Sequence, residues 1–344
     1  MRPNVLIPFS FSLMFVAIGC GAKNAKKTAV AVIAAENQSE FASQTTSEAV
    51  NAASAGDSEG AAGFGLVASE LDSGSPFKSS TKKCEVQPDG SALVTISSEV
   101  AIDKTTSNAN VSKSTTMNGT STEKRTWSSA AGVQCVGDRA KVNLKSDPTS
   151  YSLKVQIERS RTQTMSQKNL KKNTTISSSR SFSMNGERTI SIVSYSEDVA
   201  NNLSTQEKKV SGSMNRSFTF VNKNNETQTG SFSSATVGDP MLVRVKRSLS
   251  TKEVISREFV SGTRKSTLQD GSMIETSFTN FVMTGAGESC EAQSGSLSLK
   301  YLGSDDSVSK TISCTADAGL LSCTDSSGAA VELESPSCDP ADDK

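Results

Sequence analysis

The sequence predicts an all-β protein, an antiparallel meander of long strands arranged as a sandwich or a partial barrel. Apolar and polar residues alternate, turn signals recur about every 12 to 25 residues, and no long helical period follows residue 83. Serine and threonine supply 93 of the 344 residues, whereas leucine, isoleucine, valine and phenylalanine supply 69. This composition suits sheets that have one solvated face and one narrow apolar face.

The N-terminal residues have the pattern of a secretory signal. One cation, Arg2, precedes an apolar run over residues 5–18. The run is too short to span a bilayer as a mature helix, and its length is typical of the apolar region of a signal peptide.

The tetrapeptide Ala-Ile-Gly-Cys at residues 17–20 resembles the lipobox of bacterial lipoproteins. The resemblance implies a signal peptide of residues 1–19, cleavage before Cys20 and lipidation of that cysteine. Glycine rather than aspartate follows Cys20, which by the same resemblance implies transport to the outer membrane. Several acyl chains would hold the protein there almost permanently.

Residues 20–80 are predicted to form a tether behind the lipidated cysteine. They are rich in alanine, serine and glycine, and Val30, Ile33 and Phe41 are too sparse for a well-defined amphipathic helix. A coil of this length has a root-mean-square reach of roughly 45 Å. The alternative is a helix that lies on the membrane or binds a partner.

Residues 81–285 are predicted to form the antiparallel β domain. From residue 151 to residue 157 every second residue is apolar, and residues 91–103 show the same period after Asp89-Gly90. Asn185-Gly186 and Asp270-Gly271 stand between apolar segments, and both dipeptides favour tight hairpin turns.

Residues 286–344 are predicted to form a small, acidic β module with its own disulfides. Alternating apolar residues flank turn signals at 303–306 and 326–328. This stretch holds 11 acidic and 3 basic residues, whereas residues 141–230 hold 7 acidic and 14 basic ones. The contrast indicates either a basic sheet surface for anionic headgroups or cell-wall polymer, or simply two solvated surfaces.

Six cysteines remain when Cys20 is set aside, and in an exported chain they predict three disulfides. They are Cys84, Cys135, Cys290, Cys314, Cys323 and Cys338. Their positions suggest one bridge between Cys84 and Cys135 and two among the four C-terminal cysteines. There is no C-x-x-C pair or zinc-ribbon spacing, so a structural role is favoured over metal binding.

The composition argues against several function classes. The chain has no histidine, which excludes Ser-His-Asp and Cys-His catalysis and histidine-ligated zinc. Its 36 basic and 36 acidic residues do not favour nucleic acid as a partner. No carboxylate pair stands out, and the C-terminal acids lack the spacing of a calcium loop. We therefore expect a non-enzymatic protein without a cofactor.

The expected function is structural or binding work by a β domain presented in the bacterial envelope, facing the periplasm or the cell surface. Its partner would be an envelope protein, a polymer or a lipid. The alternative is a carrier whose curved sheet encloses a lipid or another hydrophobic ligand. The apolar residues expected to line that cavity are Phe182, Ile190, Phe218, Phe220, Val243 and Phe278.

Overall fold

The computed structural model describes residues 77–144, 147–222, 226–251, 253–285, 291–303 and 305–333. Almost all of them belong to β-strands, and the only helical element among them is a single 3-10 turn, Pro148–Ser150. The strands are β1 (Phe77–Val86), β2 (Ala92–Ser107), β3 (Val111–Ser128), β4 (Gln134–Val136), β5 (Arg139–Lys141), β6 (Ser152–Asn169), β7 (Thr174–Asp198), β8 (Leu203–Val221), β9 (Thr227–Ser248), β10 (Val254–Leu268), β11 (Met273–Thr284), β12 (Glu291–Leu302), β13 (Val308–Asp317), β14 (Leu320–Asp325) and β15 (Ala330–Val331).

Thirteen of these strands form one antiparallel sheet in which each strand pairs with the next along the chain. The small hairpin β4–β5 is inserted between β3 and β6 and forms a separate two-stranded sheet. The predicted fold class, an antiparallel meander of long strands, is confirmed. The longest strand, β7, has 25 residues, so one hairpin arm can contribute both to the core and to a distant surface.

One face of the sheet carries the core, and we call it the inner face. On β6 it is marked by Leu153, Val155 and Ile157, which are buried, while the residues between them are exposed. This is the period of two that the sequence predicts for residues 151–157. One hydrophobic cluster runs along the inner face from Leu153 on β6 to Cys323 on β14.

Backbone irregularities lie on five consecutive strands, β8 to β12, near the middle of each strand. Gly212, Gly238, Gly262 and Gly295 have positive φ angles, as does Asn280 on β11. Register shifts in the strand pairing occur beside them on β8, β10 and β11. We call this line the crease. Bulges and glycines of this kind bend strands and increase their twist, which allows a sheet to curve.

The predicted C-terminal β-strands are present, and they continue the same sheet. β12 pairs with β11 over most of its length, so the expected boundary at residue 286 lies between two paired strands. Cys314 on β13 and Cys323 on β14 stand directly opposite each other and form a disulfide. The bridge therefore fastens two neighbouring strands at the far edge of the sheet.

A second disulfide joins Cys84 on β1 to Cys135 on β4, the pair that their positions suggested. It closes a loop with a sequence separation of 51 residues and holds the β4–β5 hairpin against the first edge of the sheet. In the chain-entropy model a loop of this length contributes about 4 kcal/mol to stability. Cys290 and Cys338 lie outside the described residues, as do Cys20 and the expected tether up to residue 76, whereas residues 77–80 of that expected tether belong to β1.

The hairpin turn predicted at Asn185-Gly186 is wrong, because β7 runs straight through it. Gly186 pairs with Ile157 of β6 and with Met214 of β8, so partners on both sides keep it in extended conformation. The Asn185 side chain accepts a hydrogen bond from the Asn215 amide at 3.1 Å. Pairing on two edges therefore outweighs the local preference of Asn-Gly for a turn. The turns predicted at Asp89-Gly90 and Asp270-Gly271 are confirmed.

Substitution of Gly295 tests the crease. Its φ is +95°, and a Cβ atom there would stand 2.0 Å from the backbone oxygen of Asn280. We expect Gly295→Ala to lower the free energy of unfolding by about 2–4 kcal/mol, because neither backbone can move away cheaply. The control is Gly238→Ala, where φ is +68° and no atom lies within 4 Å of the new Cβ. This variant should lose only about 1 kcal/mol. Urea unfolding measures both, and equal losses would contradict this view of the crease.

Candidate functional site

The inner face changes character along β6, β7 and β8. Near the middle of the sheet it is mostly apolar and is buried, but towards the turns that join β6 to β7 and β8 to β9 it becomes basic, aromatic and partly exposed. We call this end of the sheet the open end. The strand pairing assigns each side chain to its row, because residues directly opposite each other in antiparallel strands lie on the same face.

Three successive rows at the open end carry arginine, and the two outer rows also carry phenylalanine. The first places Arg159 and Arg216 on either side of Met184. The other two rows add further arginines and aromatic rings, so the complete set consists of Arg159, Arg161, Arg180, Arg216, Phe182, Phe218 and Phe220. We call these seven residues the arginine–phenylalanine patch.

The aromatic rings of the patch are accessible from solvent. Phe218 is 49% exposed, and Phe182 and Phe220 are half-buried. Phe218 stands opposite Gly230 of β9, where a Cβ would lie 2.0 Å from the ring, so the absent side chain of Gly230 makes room for the ring. An aromatic ring that covers a strand glycine in this way stabilises the pairing of the two strands. The side of the ring that faces away from the glycine remains open.

Arg180 joins the charged and aromatic parts of the patch. Its guanidinium carbon lies 5.1 Å from the centre of the Phe220 ring, which is the distance of a cation–π contact. The Nε–H of Arg180 is buried and has no hydrogen-bond acceptor among the described residues. Arg180 as a whole is half-buried, so a ligand that carries acceptor oxygens can bind the part of the guanidinium that solvent reaches, while the Phe220 ring holds its position.

More arginines lie on the inner face below the patch. Arg188 on β7 and Arg264 on β10 are almost fully buried, at 2% and 3% exposure. The Nε of Arg264 donates to the Ser234 hydroxyl at 3.0 Å. Between the row of Arg188 and the open end, one carboxylate lies on the inner face among the described strand residues of β2, β3 and β6–β10. It is Glu123, which accepts a hydrogen bond from Arg125. The inner face towards the open end is thus strongly basic.

The outer face carries a separate groove of about 310 Å³ over β3, β6, β7 and β8. Its floor is polar and already hydrogen-bonded: Glu187 accepts bonds from Lys154 at 2.9 Å and from Gln156 at 3.1 Å. These bonds hold the pKa of the Glu187 carboxyl below its usual value. An ionised carboxylate of this kind is not suited to act as a general acid.

The structure divides the six apolar residues predicted to line a cavity. Ile190, Val243 and Phe278 are sealed in the core, at 3%, 0% and 2% exposure. Phe182, Phe218 and Phe220 line the accessible patch instead. All six lie on the inner face, as the carrier alternative requires, but only half of them are available to a ligand.

Sequence reasoning missed the arginines of the patch. The signal was present, because Arg159 and Arg161 share the odd-numbered positions of Leu153, Val155 and Ile157 on one uninterrupted strand. The basic surplus over residues 141–230 is therefore concentrated partly on the inner face rather than only on the solvated side. No group of three acidic or cysteine side chains that could hold a metal ion occurs in the described part of the chain.

No family model, curated protein or solved structure matches this chain. What the geometry defines is a class, an antiparallel β protein with one large sheet and a basic and aromatic patch on the core-bearing face of that sheet. Within the ranges given above, no helix has the length and apolar character needed to cross a membrane.

A double-mutant cycle tests the geometry of the patch. We expect Arg180→Gln and Phe220→Leu to show a coupling energy of about 0.5–1 kcal/mol in urea unfolding, because each removes one partner of the cation–π contact. The control cycle pairs Phe220→Leu with Arg139→Gln on the separate β4–β5 hairpin, and its effects should add. Additive effects in both cycles would contradict the contact.

Proposed function

We propose that this chain is a non-enzymatic, lipid-anchored envelope protein whose β-sheet binds an amphiphile with an anionic headgroup. The observation that carries the proposal is the arginine–phenylalanine patch, in which four arginines and three aromatic rings share one partly exposed surface. Of the two functions expected from the sequence, the patch favours the ligand carrier over a purely structural module.

The chemistry of the patch matches the two parts of such a ligand. Guanidinium groups bind phosphate oxygens through two parallel hydrogen bonds, and they hold this geometry better than lysine does. Phe218 and its neighbours offer apolar surface beside these donors, where the first methylenes of an acyl chain can pack. The guanidinium groups alone would not favour an amphiphile over a free phosphate. The apolar surface alone would not favour it over a neutral lipid.

The expected anchor agrees with this ligand. A lipidated Cys20 would keep the sheet at a membrane surface, and a tether of about 60 residues would let it reach roughly 45 Å from that surface. Anionic lipids of the same envelope would then be present at high local concentration.

The anchor has its own test. Mass spectrometry of the mature protein should find Cys20 as the first residue, carrying a diacylglyceryl group, because the lipobox-like residues 17–20 direct cleavage before it. The control is Cys20→Ser, which should leave the chain unprocessed at this site and without acyl groups. A wild-type chain with an unmodified Cys20 would contradict the anchor while leaving the binding proposal open to its own experiment.

Ligand binding is best measured on the whole chain with Cys20→Ser, which removes acyl groups that would compete for lipid. Dihexanoylphosphatidylglycerol should bind at least about tenfold more tightly than dihexanoylphosphatidylcholine, because only the former carries net negative charge. The double variant R161E/R180E should weaken the anionic lipid at least about tenfold, since both changes place a like charge at the headgroup.

Lys168→Glu is the matched control for this titration. Lys168 lies on β6 as Arg161 does, but on the outer face, and it is exposed. This variant should bind like the wild type. Equal affinity for the two lipids, or an unchanged affinity in R161E/R180E, would rule out the proposed function.

A further inference from the structure

The residues that precede β1 carry the charge that the inner face lacks. Residues 28–76 contain seven acidic residues and no basic ones. The described strand residues of the inner face towards the open end have the opposite balance, with one carboxylate, Glu123, among several arginines. Apolar residues accompany the acids in the last part of this stretch, at Phe64, Leu66 and Leu71.

The chain enters the sheet at the level of the patch. The first residue of β1, Phe77, pairs with Val100 of β2, and this row continues through Gly119 of β3 to Arg161 of β6. The segment that precedes Phe77 is therefore attached to the edge of the sheet at the row of Arg161. The strand β2 extends seven residues further towards the open end, to Ser107, and its last seven residues have no β1 partner among the described residues.

The acidic residues nearest to β1 can reach the patch. Three strand spacings of about 4.8 Å separate β1 from β6, a distance of roughly 14 Å. Asp72 lies five residues before Phe77, and an extended chain of that length spans about 17 Å. Glu70 lies seven residues before it and can reach roughly 24 Å, which is about the distance to β8.

We infer that residues 28–76 dock on the arginine–phenylalanine patch of their own chain, with acidic side chains on the guanidinium groups and apolar ones on the rings. The segment lies outside the described residues, and the inference rests on its sequence and on the face that would receive it. Because the segment and the ligand share one site, an anionic lipid must displace the segment in order to bind. This competition, unlike the docking itself, rests on the proposed function.

Photo-crosslinking of the whole mature chain tests the docking. With p-benzoylphenylalanine in place of Phe64, irradiation should produce crosslinks to peptides of β6, β7 and β8. R161E/R180E should lower the crosslink yield roughly tenfold, because two attractive contacts become repulsive. Lys168→Glu on the outer face of β6 should leave the yield unchanged.

A second variant keeps the test independent of changes in the sheet. E70Q/D72N removes two acidic charges from the segment alone and should also reduce the yield, as should 0.5 M salt. Absence of crosslinks, or crosslinks spread over strands outside β6–β8, would overturn the docking.

Addition of dihexanoylphosphatidylglycerol separates this inference from the proposed function. A fall in crosslink yield as the lipid binds supports a shared site. Lipid binding with an undiminished yield would overturn the competition. Crosslinks at β6–β8 in a chain that binds no anionic lipid would support the docking and overturn the proposed function.

Discussion

The structure depends on the alternation of side chains along strands that run without interruption from the core to the open end. On β6 and on β7 as far as Ile192, pairing proceeds without a register shift, so every second residue stays on one face. The face that buries Leu153 and Ile157 must therefore also carry Arg159 and Arg161. Because one alternation fixes both sets, the core determines where the basic surface lies.

The crease allows the sheet to cover its own apolar face, which a flat sheet could not do. An apolar face on one sheet stays in water unless something covers it, and in this chain several inner-face residues beside the crease, such as Met241 and Phe259, are fully buried. Bends at Gly212, Gly262 and Gly295 occur on strands whose outer face is serine, threonine and charged residues. Two disulfides brace the edges of the sheet, which suits a chain with so few large apolar residues.

Much of the fold could be predicted from the sequence, because alternation and turn residues are local signals. The first part of strand β6, up to residue 157, and the turns at Asp89-Gly90 and Asp270-Gly271 followed from such signals. The Asn185-Gly186 dipeptide gave a wrong prediction, because pairing partners on β6 and β8 hold it in extended conformation. No local sequence pattern reveals these partners. The patch was only half predictable: the rings of Phe182 and Phe218 were singled out for their apolar character, whereas Arg161 and Arg180 are recognisable only once register places them in the same rows.

An exchange of neighbouring residues tests most directly whether the shared face matters. The variant R161T/T162R/S179R/R180S keeps the composition and net charge but moves two guanidinium groups to the outer face, where position 162 is exposed and position 179 is half-buried. Titration with dihexanoylphosphatidylglycerol should show binding lost, while urea unfolding shows stability within about 1 kcal/mol of the wild type. Wild-type affinity in this variant would mean that basic charge, and not its place on the inner face, attracts the lipid.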